Sequence, residues 1–194
     1  MTVMLTTKEA VKEQLGIPTA DTSQDSLIER TIKAASDAIQ GYCNRNFKQQ
    51  DYEHTFNPTY DKYIFTEEWP VIAVSKVIYG DVELDPAEYS YKDNKIIKTT
   101  GTWDKETVVE YTAGYILPGD EKPGAERDLP YDIEEAAIYY ATLRIRTGPS
   151  AGIKSEQVDV LRVQYEETNT VGGQVIPLPP VVMSLVNPYR KVVV

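Results

Sequence analysis

The chain has 194 residues, a formal net charge of −10 at pH 7 and a hydrophobic fraction of 41%. This length suffices for one domain with a sizeable core, or for one domain with a smaller inserted module, and the apolar content excludes wholesale disorder. A strongly acidic chain is a poor general binder of nucleic acid, because the phosphate backbone rewards lysine and arginine. With Cys43 as its single cysteine, the chain cannot form an internal disulfide or a thiolate metal cluster.

No targeting or membrane segment is predicted. The N-terminal residues lack a basic stretch followed by a long apolar run, and no stretch approaches the length of a membrane span. We therefore expect a protein made and kept in a cytosol-like compartment. Its 14 tyrosines outnumber the three phenylalanines and two tryptophans, which suits surfaces that are half buried or buried only on assembly.

Two helices are predicted in the N-terminal quarter of the chain. Thr6 and Glu9 have the spacing of a capping box, which predicts a helix that begins at Thr6, and Gly16 predicts its end. A longer helix is predicted over residues 25–44, where apolar side chains recur at three- and four-residue steps. Cys43 belongs to that apolar pattern, so we expect a small core residue rather than a nucleophile.

From about residue 50 to residue 115 the hydrophobic period changes to that of β-strands. Strands are predicted at residues 52–56, 60–65, 71–79, 82–84, 89–91, 96–97 and 107–112. Gly80-Asp81 and Asp93-Asn94 separate neighbouring strands as hairpin turns. The region is therefore predicted to be an antiparallel β module.

Helical periodicity returns after a loop at residues 114–128 that contains proline and glycine. A third helix is predicted to take Asp132 as its N-cap and to run to about Thr147. Residues 158–165 alternate between apolar and polar side chains, which predicts a strand, with a helix as the alternative.

The C-terminal segment is unusual because it ends in apolar, β-prone residues. Residues 179–180 are a pair of prolines that predicts the start of a short last helix, and Pro188 predicts its end. The six residues beyond that helix are Tyr189, Arg190, Lys191, Val192, Val193 and Val194. An exposed end of this kind aggregates unless it is paired. Two hypotheses stay open: a last strand in the chain's own sheet, or strand addition to a neighbouring subunit or partner protein.

Recognised catalytic motifs are absent from the sequence. It contains no nucleophile elbow, zinc-protease, phosphate-loop or dinucleotide-binding pattern. The single histidine, His54, lies in a predicted strand with no motif around it, so we expect a half-buried or surface side chain rather than a general base. One histidine also cannot build a multi-histidine zinc site.

Two carboxylate pairs leave one chemical possibility open. Glu67-Glu68 precede a predicted turn, and Glu134-Glu135 fall in the first turn of the third helix, where the helix dipole favours negative charge. Both pairs have structural explanations, so we predict that the chain is not an enzyme and has no cofactor or metal. A metal-dependent enzyme with a carboxylate-only site is the alternative.

The order and spacing of these segments resemble a known protein family. The segments that carry the similarity are residues 5–12, 15–17, 25–28, 39–47, 69–77, 109–115, 129–133, 154–156, 178–180, Leu185 and residues 188–190. In this order they resemble the head-tail connector family of tailed bacteriophages, also called adaptor or head completion proteins.

The resemblance implies a structural role in viral assembly and genome ejection. Members form an oligomeric ring, usually of twelve copies, beneath the portal of a filled capsid, where the ring extends the DNA channel and supports the stopper or tail. Their C-terminal segment commonly reaches into the portal, which makes residues 189–194 the expected portal-docking segment. The implied partners are further copies of the chain, the portal protein and a stopper or tail protein. DNA passes through the channel without specific binding, and no membrane is involved.

The expected fold is α+β, a helical bundle with an inserted antiparallel β module and an extended C-terminal tail. The helical connector core is assigned to residues 1–48 and 116–188, the β module to residues 49–115 and the docking tail to residues 189–194. The implied location is the virion neck, after synthesis in the host cytoplasm. The acidic balance would then repel DNA from the channel wall.

A second structural hypothesis is a tail completion or terminator ring protein. Proteins of that class form rings around the tail tube and are typically mixed β-sheet proteins without two long flanking helices. The connector hypothesis further predicts that the isolated chain is monomeric and that ring formation depends on the portal.

Overall fold

The chain divides into two compact units. A computed structural model describes residues 3–147, 155–158, 161–164, 170–171, 174–175 and 178–191. One unit is formed by Met1–Arg45, Leu117–Glu121 and Leu129–Val194, and the other by Asn46–Ile116 and Lys122–Asp128. We call them the helical unit and the β unit. Helices and antiparallel sheets are both present, which confirms the predicted α+β class.

The helical unit is built around a central helix, α3. The helices are α1 (Lys8–Leu15), α2 (Asp25–Cys43), α3 (Tyr131–Thr147) and α4 (Pro180–Val186). α3 packs against each of the other three helices. Small buried side chains permit this close packing, namely Ala35 of α2 and Ala136, Ala137 and Ala141 of α3. None of the helices in the described ranges has both the length and the apolar character that crossing a membrane requires.

The start of α1 lies one residue later than predicted. Thr7 is the N-cap, and its Oγ1 accepts a hydrogen bond from the Ala10 N–H at 3.2 Å. Thr6 is instead fully buried, and the neighbouring Leu5 N–H donates to Ser36 Oγ at 3.0 Å. The start of the helix is therefore set partly by a contact to α2, which the local capping pattern does not contain.

A buried lysine fixes the connection between α1 and α2. The Lys12 side chain is only 2% exposed, and its Nζ lies 2.5 Å from Asp25 Oδ1. Nζ also donates to the carbonyl oxygens of Thr19 at 3.2 Å and Asp21 at 2.7 Å. Lys8 Nζ donates to the other Asp25 carboxylate oxygen at 2.6 Å. The hydrogen bonds from Lys12 and Lys8 hold the pKa of Asp25 below its ordinary value.

The N-terminus of α3 also differs from the prediction. The helix begins at Tyr131, so Asp132 lies in its first turn and is not the N-cap. The N–H groups of Ile133 and Glu134 donate to the Pro130 carbonyl oxygen instead. Asp132 still benefits from the helix dipole at this position. The helix ends at Thr147, as predicted.

The strand predicted at residues 158–165 corresponds to parts of two strands rather than to one. Two short strands, β8 (Ser155–Val158) and β9 (Leu161–Gln164), form an antiparallel pair with Val158 opposite Leu161. Residues 159–160 and 165 lie outside the described residues. A second short pair follows, formed by β10 (Thr170–Val171) and β11 (Gln174–Val175). An alternating pattern gives no sign of a chain reversal inside it, so one strand was predicted where two exist.

The β unit contains two antiparallel sheets. The four-stranded sheet has the order β1-β7-β3-β4, and its strands are β1 (Gln50–Phe56), β3 (Val71–Tyr79), β4 (Val82–Glu83) and β7 (Thr107–Ala113). The three-stranded sheet has the order β2-β6-β5, and its strands are β2 (Tyr63–Phe65), β5 (Tyr89–Lys92) and β6 (Lys95–Lys98). Both predicted hairpin turns are confirmed, since Tyr79 pairs with Val82 and Lys92 pairs with Lys95.

One hydrophobic core fills the β unit. Its members include Trp103, which is fully buried, and Tyr111, together with Ile64 and Ile96 from the three-stranded sheet. The Trp103 indole Nε1 donates to the Lys62 carbonyl oxygen at 3.1 Å. Both sheets therefore contribute side chains to the same core.

Gly114, directly after β7, permits a close approach between two backbone segments. Its φ is +108°, and a Cβ at this position would lie 2.7 Å from the Lys48 carbonyl oxygen. The adjacent Tyr115 N–H donates to the Phe47 carbonyl oxygen at 2.7 Å. A residue with a side chain would meet backbone atoms here, so the position requires glycine.

Candidate docking site

The predicted docking segment follows α4 directly. α4 begins at Pro180, as predicted, and its last residue, Val186, is buried. Pro188 lies in a 3₁₀ turn, Asn187–Tyr189, that continues from the helix. We call residues 187–191 the C-terminal clasp. Of the predicted docking residues, Tyr189, Arg190 and Lys191 belong to the clasp, whereas Val192, Val193 and Val194 lie outside the described residues.

The C-terminal clasp is attached to the last turn of α2. The Lys191 backbone N–H donates to the Cys43 carbonyl oxygen at 2.8 Å. The Arg190 guanidinium carbon lies 5.1 Å from the centroid of the Tyr42 ring, within the range of a cation–π interaction. The Tyr42 hydroxyl donates to Asn187 Oδ1 at 2.6 Å. The carbonyl groups at a helix end lack intrahelical donors, so Lys191 satisfies one of them.

A further contact ties the clasp to α3. The Tyr189 hydroxyl lies 3.4 Å from Asp132 Oδ2. Partial burial and the neighbouring Asp132 carboxylate both raise the pKa of Tyr189 above its ordinary value. The hydroxyl therefore keeps its proton and donates it to the carboxylate. Asp132, predicted as a helix cap, has this second role at the clasp.

Within residues 187–191 the clasp has no strand pairing. Tyr189 belongs to the 3₁₀ turn, and neither Arg190 nor Lys191 is paired in a sheet. The apolar end to which the hypothesis of a last strand refers, residues 192–194, lies outside the described residues, so this hypothesis stays a prediction. Strand addition to a partner also stays a prediction.

Cys43 is a core residue, as predicted. It is fully buried at the end of α2, and its Sγ lies 3.7 Å from the Val186 carbonyl oxygen. Burial raises the pKa of its thiol to about 11. The thiolate is the reactive form of cysteine, so its low population at neutral pH disfavours a nucleophilic role.

His54 is half buried on β1, as predicted, and takes part in a chain of hydrogen bonds. Its Nδ1 lies 2.9 Å from the Tyr111 hydroxyl. The Glu68 backbone N–H donates to that hydroxyl at 3.2 Å, so the hydroxyl joins the Glu68 backbone to the His54 ring. Burial raises the pKa of Tyr111 to about 12. These groups connect β1, β7 and the loop after β2 in the interior of the β unit.

The carboxylate pairs occupy the local positions that the sequence predicts. Glu68 is buried in the loop after β2, whereas Glu67 is exposed. Glu134 lies in the first turn of α3, and Glu135 follows directly after that turn because the helix begins at Tyr131. Within the described ranges, no group of three or more histidine, cysteine, aspartate or glutamate side chains is arranged to hold a metal ion.

A second exposed surface lies on the outer side of the three-stranded sheet. Tyr63 and Phe65 of β2 are 38% and 53% exposed, and their rings meet edge to face at 5.4 Å. Lys95 Nζ lies 5.5 Å from the Tyr63 centroid and 5.3 Å from the Phe65 centroid. We call the outward strand positions the aromatic–lysine face; they are Tyr63, Phe65, Ser90, Lys92, Lys95 and Ile97. Sequence analysis missed this face because only the strand register brings its residues together.

Comparison with known proteins identifies one matching family. A family model described as head completion protein matches residues 4–142. No sequence among the curated proteins matches the chain.

Two solved structures have a similar fold. One is a chain in the neck of an empty gene transfer agent particle computed with C6 symmetry, with 17% identity and a TM-score of 0.55, over 96% of this chain and 88% of that chain. The other is a chain in the virion of a native gene transfer agent particle, with 14% identity and a TM-score of 0.54, over 96% of this chain and 89% of that chain. At these identities the similarity concerns the fold alone. Because the family model spans well over half of the chain, the predicted resemblance is confirmed, and the chain belongs to the head completion protein family.

Proposed function

We propose that this chain is a structural protein of the virion neck, which forms an oligomeric ring between the portal and the stopper or tail. The observation that carries the proposal is the family match over residues 4–142, which includes α1, α2, the whole β unit and most of α3. A chain of similar fold in the neck of a gene transfer agent particle agrees with this location. The role is structural rather than catalytic.

The ring is proposed to contain twelve copies and to continue the DNA channel. The net charge of −10 supports passage of DNA without specific binding, because acidic surfaces repel the phosphate backbone. A cryo-electron-microscopy map of the particle tests the location and the stoichiometry together. Density for this fold between the portal and the tail is the expected result. Density around the end of the tail tube would instead identify a terminator.

We propose that residues 189–194 dock on the portal with the C-terminal clasp in place. The support is that the clasp attaches Tyr189, Arg190 and Lys191 to α2 and α3, so half of the proposed docking segment is already held in place. Residues that are ordered before binding lose less conformational entropy when the partner is bound.

Two truncations separate docking from folding. A chain that ends at Lys191 keeps every clasp contact, so we expect loss of portal binding with an unchanged melting temperature. A chain that ends at Pro188 also loses the contacts of Tyr189, Arg190 and Lys191, so its melting temperature should fall as well. Portal binding is measured by co-sedimentation with assembled portal rings. Normal binding by both truncated chains would refute docking by this segment.

A further inference from the structure

We propose that the aromatic–lysine face binds a second copy of this chain, as one side of a head-to-tail contact between neighbouring subunits. The inference rests on the proposed ring and adds the surface through which its subunits meet. The residues that carry it are Tyr63, Phe65, Lys92 and Lys95, all at outward positions of the three-stranded sheet.

The face has the composition of an interface core. Tyr63 and Phe65 expose large aromatic surfaces although Ile64, between them, is buried in the core of the β unit. Ile97 lies directly opposite Tyr63 on β6 and extends the apolar area. Adjacent exposed aromatic side chains lose unfavourable hydration when a partner covers them, and aromatic residues are enriched in interface cores. Lys95, held over both rings, adds a cation to the same cluster.

The charge of the face selects an acidic partner. Its six strand positions include Lys92 and Lys95 and no carboxylate. The nearest acidic residues along the chain lie outside the three strands and are Asp61, Glu67, Glu88 and Asp93. The chain as a whole has a net charge of −10, so a second copy presents mainly acidic surface. Two copies of the aromatic–lysine face would instead place lysines against lysines. The charge therefore favours contact with a different face of the neighbour.

The outer side of the four-stranded sheet carries exposed carboxylates that could pair with the lysines of the aromatic–lysine face. Asp51 and Glu53 are exposed on β1, the edge strand, and Glu53 lies directly opposite Glu110 of β7. Carboxylates directly opposite each other on neighbouring strands repel. Lys76 of β3 lies opposite Glu110 on its other side, so Glu53, on the edge strand, is the carboxylate that a lysine from another subunit would pair with. A contact between two different faces is heterologous, and such contacts close into rings when the rotation between subunits permits.

A photo-crosslinker at Phe65 tests the proposal in assembled particles. With p-benzoylphenylalanine in place of Phe65, we expect an adduct of twice the chain mass in which the crosslinked peptide comes from β1 or β7. The same probe in place of Val82, which is 61% exposed on β4, is the control and should give at least tenfold less of this adduct. An adduct to another protein or to DNA would overturn the proposal, as would particles that contain the protein but show no such adduct.

Charge variants give a second measurement. With the crosslinker at Phe65, Lys92→Glu with Lys95→Glu should reduce the adduct at least tenfold, whereas Lys92→Arg with Lys95→Arg should keep it. Equal melting temperatures confirm that each variant folds, and equal adduct yields from both would contradict the charge contribution. If the unmodified protein is absent from the neck, the proposed function fails; if it is in the neck without self-adducts, only this inference fails.

Discussion

The Tyr111 hydroxyl is the central group in the interior of the β unit, and Tyr111→Phe removes it alone. The Glu68 N–H then loses the acceptor that Tyr111 supplies, and His54 Nδ1 loses the hydrogen bond to that hydroxyl. The phenylalanine ring can keep the stacking on Tyr52, whose centroid lies 5.7 Å away, so little packing is lost. Loss of one partner from a buried hydrogen bond costs roughly 1–3 kcal/mol. We expect the free energy of unfolding at pH 7 to fall by about 1.5 kcal/mol.

The raised pKa of Tyr111 makes this difference depend on pH. The ordinary tyrosine pKa is 10.0, and burial raises it to about 12 in the folded chain. The unfolded chain therefore releases this proton first, so the contribution to stability is complete below pH 10 and is lost as the pH rises through 12. At pH 11 the wild-type protein has lost about 1.4 kcal/mol from this source. The variant has no such loss, so the two stabilities should be nearly equal at pH 11.

Urea unfolding followed by tryptophan fluorescence measures both values. Trp103 is fully buried in the core that contains Tyr111, so its emission reports unfolding of the β unit. Tyr52→Phe is the control, because the hydrogen bond that the Tyr52 hydroxyl accepts from Gln50 is exposed to solvent. Its effect at pH 7 should stay below roughly 0.5 kcal/mol. An equal stability difference between wild type and Tyr111→Phe at pH 7 and pH 11 would refute the assignment of a buried, protonated hydroxyl.

Three further outcomes follow from packing and burial. Gly114→Ala should destabilise the fold by about 3 kcal/mol, because alanine disfavours the positive φ and its Cβ would overlap a backbone carbonyl. Gly16→Ala, which has open space around the added Cβ, should cost only about 1 kcal/mol. Equal shifts in melting temperature for the two variants would contradict this difference. Lys12→Met should cost about 2 kcal/mol in urea unfolding because two carbonyl groups lose their donor. Lys33→Met, on a half-buried part of α2, should change stability by less than roughly 0.5 kcal/mol, and similar values for both lysines would be inconsistent with a structural role for Lys12. Cys43 should react with iodoacetamide at pH 8 at least about 100-fold more slowly in the folded than in the unfolded chain, as measured by mass spectrometry, and rapid labelling would contradict its burial.

Local signals predicted the elements well where neighbouring residues determine the structure. α2 was predictable because its apolar period continues over five turns, and the turns at Gly80-Asp81 and Asp93-Asn94 because their residues suit tight reversals. The start of α1 was not predictable, because the hydrogen bond from Leu5 to Ser36 on α2 helps to determine whether Thr6 or Thr7 is the N-cap. The strand order β1-β7-β3-β4 could not be predicted either, because β1 pairs with β7 and most of the β unit lies between them in the sequence.

For the candidate surfaces, too, the sequence indicates the residues of a segment but not the distant residues that they contact. The composition of the C-terminal segment drew attention to Tyr189, Arg190 and Lys191, but their partners, Tyr42 and Asp132, are far away in the sequence. Periodicity placed Tyr42 in an apolar helix pattern and capping rules placed Asp132 at a helix start. No local signal joins either residue to the clasp. The portal-docking role of residues 189–194 and the predicted domain boundaries stay predictions.

The C-terminal clasp has a consequence for the order in which the chain folds during synthesis. The Cys43 carbonyl and the Tyr42 side chain are synthesised long before their hydrogen-bond partners in the clasp, the Lys191 N–H and Asn187. Asn187 follows Tyr42 by 145 residues. At about 5–20 residues per second, roughly 7–30 s pass between their appearance at the ribosome. Within that interval the whole β unit is synthesised. Its chain is continuous except for Leu117–Glu121, a short loop that belongs to the helical unit. The nascent chain therefore has the complete sequence of the β unit while the apolar faces of α1 and α2 still lack α3 and α4, and this is the period in which chaperone binding would protect it.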